Sequence, residues 1–241
     1  MQLTIDPRRK AIVLESEEAA IIFSANHFIE LAKEAIKLHG NFFVALSGGS
    51  TPKKIYQTIR ARHKKDIDWT KVFLFWSDER ACGPNDPESN YKMAMDSGFS
   101  ELGIPQNQIF RMEGEGDIYQ SAEDYERKVK TCLNDRHFDL IMLGIGEDGH
   151  TASLFPNTKA LSETKKLVVA NEVPQKNTFR MTFTYPLINS AHHTVFYALG
   201  KNKESILKEV IHSDILPASK VGTQKNPVWF ILDRASGNFL I

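Results

Sequence analysis

The chain has 241 residues, 41% of them hydrophobic and 25% charged, which is enough apolar material for a substantial core and too much for a disordered chain. Thirty basic residues balance thirty acidic ones, so bulk charge offers no footprint for nucleic acid or a membrane surface, and an anionic ligand has to meet locally placed cations. Two cysteines, Cys82 and Cys132, exclude a disulfide framework, match no metal spacing and read as packed thiols of a reducing compartment. The opening stretch MQLTIDPRRKAIVLE carries no secretory pattern, and no segment reaches the roughly 18 apolar residues of a membrane span, so a cytoplasmic protein is expected.

From Glu15 to Leu38, Ala19, Ile22, Phe23, Phe28, Leu31, Ala35 and Leu38 recur near helical spacing behind an acidic first turn, which predicts a helix. NFFVALSGGSTPKKIYQTIR follows as a buried strand over 42–46, a loop of small residues, and a helix with Thr51 as N-cap and Pro52 at its first position. VFLFW (72–76) and FDLIML (138–143) are two more buried strands, separated by a long polar loop and the helix SAEDYERKVKTCL. KLVVA, RMTFTY, TVFYAL and VWFIL predict further strands, with the helix NKESILKEVI between the last two. Strands that alternate with helices and are almost continuously apolar predict an α/β fold: an open, mostly parallel sheet with helices on both faces. Without repeats, low-complexity tracts or linkers, one domain over 1–241 is expected.

Three loops leave three of these strands at their carboxyl ends, where open α/β sheets gather their ligands. In SGGSTP, the residues Ser47, Gly48, Gly49, Ser50 and Thr51 let backbone and hydroxyl donors approach an anion at a helix N-terminus, as suits a phosphate monoester. The spacing is not that of a P-loop, and a purely structural turn is the plainer alternative. In LGIGEDGHTASLFP, Gly144, Gly146 and Gly149 fall in the pattern G-x-G-x-x-G, with Glu172 as a conceivable ribose partner. Pro156 leaves no room for the full helix a dinucleotide site needs, and Glu147 and Asp148 would repel a pyrophosphate. His150, with Asp148 two residues before it, suits proton transfer better, since imidazole titrates near neutral pH. The plainer alternative is a loop histidine bonded to backbone. No partner stands at metal-ligand spacing, and His192 and His193 precede a strand elsewhere. His27, His39, His63, His137 and His212 read as solvated surface.

Taken together, ALSGGSTPKKIY, DERACGPNDPESNY, LGIGEDGHTASLFP, RMTFTYPLINSA, and PASKVG with VWFILD resemble the 6-phosphogluconolactonase family, in the right order from about Phe43 to Asp233. The loop GEDGHTASLFP separates this family from the glucosamine-6-phosphate deaminases, where the equivalent reads D-G-H-I-A-F-N-E-P. The resemblance implies the sheet shared with those deaminases and with ribose-5-phosphate isomerase. It also implies hydrolysis of 6-phospho-D-glucono-1,5-lactone in the oxidative pentose phosphate pathway, without a cofactor or metal. Residue by residue, it implies that Gly48, Gly49 and Ser50 hold substrate, that His150 is catalytic, and that Arg80, Arg180 and Lys203 supply the local positive charge. CGPN at Cys82–Asn85 and Lys220 after PAS depart from the usual pattern, outside the residues proposed for the chemistry.

The expected mechanism docks the phosphate at SGGST with Arg180 and Lys203, which reach that rim from the side opposite His150. His150 deprotonates water and Arg80 meets the developing oxyanion. Asp148 orients His150 or binds a sugar hydroxyl, and Asp78 anchors its loop beside the substrate; turn-capping fits both aspartates equally well. Two other readings use the same cradle. A sugar-phosphate isomerase or deaminase lacks its expected loop here, and a non-catalytic sugar-phosphate sensor lacks an output surface. The partner expected is a small sugar-phosphate lactone, with no nucleic acid or membrane, and either a monomer or a dimer fits the sequence.

Overall fold

The computed structural model describes residues 1–241 and begins with a hairpin that the apolar pattern does not announce, β1 (Gln2–Asp6) and β2 (Arg9–Leu14), paired antiparallel. Helix α1 (Glu17–His39) follows, its N-terminus capped by Ser16, whose hydroxyl accepts from Ala19 N, and its end closed by Gly40 in the left-handed region at φ 88°. Then come β3 (Phe42–Leu46), α2 (Ser50–His63), β4 (Val72–Trp76), β5 (Asp78–Arg80), α3 (Asn90–Asp96), α4 (Ile118–Leu133) and β6 (Leu140–Leu143). The chain continues through β7 (Val168–Val173), β8 (Thr178–Phe183), α5 (Tyr185–Ile188), β9 (His193–Tyr197), α6 (Glu204–His212), β10 (Val228–Asp233) and α7 (Arg234–Gly237).

Seven strands form the main sheet in the order β1-β2-β10-β9-β6-β3-β4, parallel throughout except for β1. All five residues of β3 are buried, which requires cover on both faces. Phe42, Val44 and Leu46 point into one core with α1 and α2, whereas Phe43 and Ala45 point into the other with α4 and α6. The expected α/β sheet with helices on both faces is therefore present.

Two of the expected strands do not join that sheet. β7 and β8 pair with β5 in a separate three-stranded antiparallel sheet, ordered β5-β8-β7 and tied to the first by Phe183 N donating to Ser77 O at 2.8 Å. Their half-buried positions fit a sheet covered on one face only. β5 has the sequence Asp-Glu-Arg, which no apolar periodicity reveals. No helix is long and apolar enough to cross a membrane.

The surface assignment of the histidines holds for His137 and His212 and fails for three others. His39 bonds Asp139 at 2.9 Å and His63 bonds Asp66 at 2.8 Å, and each is partly buried. His27, partly buried against Phe23, has a ring nitrogen without a partner, and burial reinforced by the charge of His193 pushes its pKa down to about 4. A helical position with an apolar neighbour one turn away does not itself reveal which side of α1 is covered.

This depression has a sign. The unfolded chain takes up the His27 proton near pH 6.5 and the folded chain only near 4, so the contribution is full above 6.5 and lost as pH falls through that interval. Urea unfolding should show a loss on the order of 2–3 kcal/mol between pH 7 and pH 4 from this group, and His27→Phe should flatten that part of the profile. An unchanged slope in the variant would place the acid sensitivity elsewhere.

Candidate active site

Adjacency of β6, β3 and β4, all running the same way, brings the loops that follow them to one edge of the sheet. There they border a pocket of about 210 Å³ lined by 17 residues, three of them hydrophobic. Ser47, Gly48, Gly49, Ser50, Thr51, Asp78, Arg80, His150, Arg180 and Lys203 all line it. Asp148 is bonded to His150 and does not itself line the pocket.

The helix behind the first loop starts earlier than expected. Thr51 is not its N-cap: α2 begins at Ser50, the cap position is Gly49 at φ 107°, and no side chain caps it. Glycine accepts that backbone without strain, and Thr51 and Pro52 then fall inside the first turn. Consequently the backbone N–H groups of Gly48, Gly49, Ser50 and Thr51 donate to no protein acceptor, and the positive end of a 14-residue helix borders the pocket. Tyr56 fixes the start of the loop by accepting from Ser47 N at 3.0 Å and donating to Ser47 O at 2.8 Å. Gly48 is required for space, since a Cβ there would lie 2.0 Å from Asn90 Oδ1.

His150 is held by a closed turn in which Gly146 N donates to His150 O at 2.9 Å and Gly149 N to Gly146 O at 3.1 Å. The Asp148 carboxylate accepts from His150 N at 3.1 Å and sits 2.5 Å from Nδ1. A carboxylate only accepts, so Nδ1 carries the proton and Nε2, which has no protein partner, presents a lone pair. Burial pushes the Asp148 carboxyl up, but the hydrogen bond and charge of His150 outweigh it and hold the pKa below its ordinary value. The buried Phe155 ring stacks on the imidazole with centroids 3.9 Å apart at 21°.

The cations come from three elements. Register places Arg80 on β5 directly opposite Arg180 on β8. Like charges across a strand pair are unfavourable, and each guanidinium keeps a buried Nε without a partner. Arg80 is otherwise tethered, Nη1 donating to Glu88 O at 2.5 Å. Arg180 lies 5.5 Å over the Phe155 ring, and burial lowers its pKa against the opposing pull of Asp78. Lys203, at the start of α6, does not approach from the side opposite His150: its ammonium donates to Ile145 O at 2.8 Å, at the root of the His150 loop. Such a set of donors and cations has the chemistry to accept an anion, with the open Nε2 of His150 on the same pocket.

An acidic pair ties the loops together. Asp78 accepts from Ser153 Oγ at 2.6 Å and from Asn90 Nδ2 at 3.3 Å, so within the protein it acts as an anchor between loops. The buried Glu79 carboxylate takes four donors, Arg80 N, Ser89 Oγ, Asn90 N and Tyr91 N, at 2.8 to 3.0 Å. Burial raises its pKa against the pull of the three backbone N–H groups. Asn90, Ser153, Phe155 and Tyr197 escape sequence reasoning. Asn90, the first residue of α3, and Ser153, in a loop, are polar residues among many, and the aromatic pair reads as core.

The glycine pattern of this loop is not a dinucleotide turn. No helix follows Gly149: Thr151 forms a bridge with Leu154, and the next helical turn is Lys159–Ser162. Glu172 is exposed on β7 and does not line the pocket.

A sequence profile described as glucosamine-6-phosphate isomerases/6-phosphogluconolactonase matches residues 15–229. The chain is 42% identical over 239 residues to a 6-phosphogluconolactonase of Chlamydia pneumoniae, covering 97% of this chain and 92% of that protein. Its structure is similar to a 6-phosphogluconolactonase from Trypanosoma cruzi, with TM-score 0.87, 27% identity, and coverage of 99% of this chain and 98% of that one. It also shares its fold with a monomeric glucosamine-6-phosphate deaminase, with TM-score 0.79, 21% identity, and coverage of 95% and 98%.

Gly146 gives the sharpest test of this geometry, because a Cβ there would lie 2.1 Å from both Cε1 and Nδ1 of His150. Gly146→Ala should melt within a few degrees of the parent while displacing the imidazole. The low-field proton resonance of Nδ1–H bonded to Asp148 should shift or disappear; its persistence in a folded variant would contradict the arrangement.

Proposed function

The chain belongs to the glucosamine-6-phosphate isomerase/6-phosphogluconolactonase family, and within it we propose that this protein hydrolyses 6-phospho-D-glucono-1,5-lactone to 6-phospho-D-gluconate, the lactonase step of the oxidative pentose phosphate pathway. The observation that carries the reading is an imidazole pinned by a carboxylate, its Nε2 open, on the wall of a pocket rich in anion donors.

The substrate phosphate docks on the first turn of α2, with Ser47 to Thr51, Arg180 and Lys203. This leaves the lactone carbonyl near His150. Nε2 removes a proton from water as the oxygen attacks C1, while Asp148 keeps Nδ1–H oriented and supports the imidazolium. Negative charge collects on the carbonyl oxygen, where Arg80 meets it; one well-aimed donor there contributes roughly 3–4 kcal/mol. Collapse breaks the bond from C1 to the ring oxygen, which takes the proton back from His150. Hydrolysis changes no oxidation state, so it calls for no redox carrier, and His150 itself generates the nucleophile. Asp78 shapes the site from behind, through Ser153 and Asn90. In this reading residues 1–241 work as one α/β lactonase domain on a small molecule, in the cytoplasm, without nucleic acid or membrane.

Proton release from freshly generated lactone, corrected for spontaneous hydrolysis, tests the activity. His150→Ala should lower the turnover number by about two to four orders of magnitude with a smaller change in KM. Near-normal turnover in that variant would remove His150 from the mechanism.

Arg180→Ala and Lys203→Ala should each lose about ten- to a hundredfold in kcat/KM on the phosphorylated lactone, the worth of one charge-assisted contact. The unphosphorylated lactone should be nearly indifferent to either change. Equal losses on both substrates in a folded variant would assign that residue to the carbonyl or to the architecture.

A further inference from the structure

The hydroxyls of the buried Tyr56 and Tyr125 and of the half-buried Tyr185 meet backbone. Tyr56 donates to Ser47 O at 2.8 Å, Tyr125 to Phe110 O at 3.0 Å and Tyr185 to Pro217 O at 2.9 Å. Tyr197 does not: it is 2% exposed, and its Oη has no hydrogen-bond partner. A buried hydroxyl without a partner is unfavourable, and phenylalanine would fill the same volume without that penalty.

Its position supplies the reason for a hydroxyl. Tyr197 ends β9 at the carboxyl edge of the sheet and packs into the core that carries α2 and Tyr56. It lines the same pocket as Lys203, Ile145 and the first turn of α2, where the backbone N–H groups of Ser50 and Thr51 likewise donate to no protein acceptor. Two independent features, a 14-residue helix with an uncapped N-terminus and an unpartnered buried hydroxyl, thus belong to residues that border one pocket. We propose that Tyr197 reads the substrate: its hydroxyl donates a hydrogen bond to an oxygen of the sugar phosphate bound in this pocket. This rests on the lactonase reading of the site. It adds a specificity-determining residue outside the loops, on a strand rigidly held between β6 and β10.

Tyr197→Phe removes the hydroxyl and nothing else. Expected is a rise of roughly ten- to thirtyfold in KM for the phosphorylated lactone, with kcat changed less, and an unliganded melting temperature equal to or above the parent's. A saturating dose of 6-phosphogluconate should stabilise the variant less than the parent. The unphosphorylated lactone tells which oxygen is read: a rise confined to the phosphorylated substrate assigns a phosphate oxygen, and a rise on both assigns a ring or hydroxyl oxygen. Unchanged KM and product stabilisation, or a lowered unliganded melting temperature with KM intact, would overturn the proposal in favour of a structural hydroxyl. Should the variant fold poorly, 3-fluorotyrosine in the parent gives a second reading, because the Tyr197 fluorine resonance must then move on adding 6-phosphogluconate. A parent protein that releases no protons from the lactone defeats the functional reading itself, whereas an active parent with an indifferent variant defeats only this inference.

Discussion

Two adjacent carboxylates, Asp78 and Glu79, hold the three pocket loops in one arrangement. Glu79 gathers four donors from the segment Arg80 to Tyr91 and so fixes where α3 begins. Asn90, placed by that clamp, donates to Asp78 O at 2.9 Å and abuts Gly48, which sets the depth of the first loop. Asp78 in turn holds Ser153, three residues beyond the proposed base. A buried carboxylate is tolerable only when its lone pairs are met, so this network forms as a unit or not at all. Rigidity of this kind is what a site needs when a small displacement of the base is costly.

Neutral composition makes the charge placement conspicuous. The chain sets Arg80 and Arg180 opposite each other on a strand pair, a position that strands ordinarily avoid giving to like charges. The neighbours soften the repulsion without cancelling it: Asp78 is committed to Ser153 and Asn90, and Glu88 bonds Arg80 and acts on Arg180 through its charge alone. This unfavourable placement concentrates positive potential at the edge of the pocket, and the uncapped first turn of α2 repeats the pattern in backbone form.

Much of this was legible in the sequence because it depends on local rules. Buried strands show as apolar runs, helix starts as acidic or hydroxyl residues, and the loops after 46, 76 and 143 stand out by their small and polar residues. What escaped depends on pairing. The strand Asp78–Arg80 is defined by its partner β8 and not by its own composition. Thr51 has the chemistry of a cap, yet Gly49 takes the position because only glycine adopts that backbone readily. Arg80 and Arg180 become neighbours through antiparallel register across a hundred residues of chain, which no motif encodes. Tyr197 looks like any other apolar strand residue until its hydroxyl is found without a partner.

The strand order carries a consequence for biogenesis. β2 is made well before β10, with the other parallel strands between them in the chain, yet the two run parallel and adjacent, with Arg9 opposite Val228. During synthesis the growing chain therefore carries one strand whose inner edge stays unpaired until the elements between β2 and β10 have been made. An open strand edge invites pairing with the wrong chain, and long-range parallel pairing closes slowly. The charged run Asp6 to Lys10, interrupted by Pro7, lies at the head of that waiting strand and discourages premature partners. A chain in which β10 follows quickly is thus open to wrong pairing for less time than one that stalls before it.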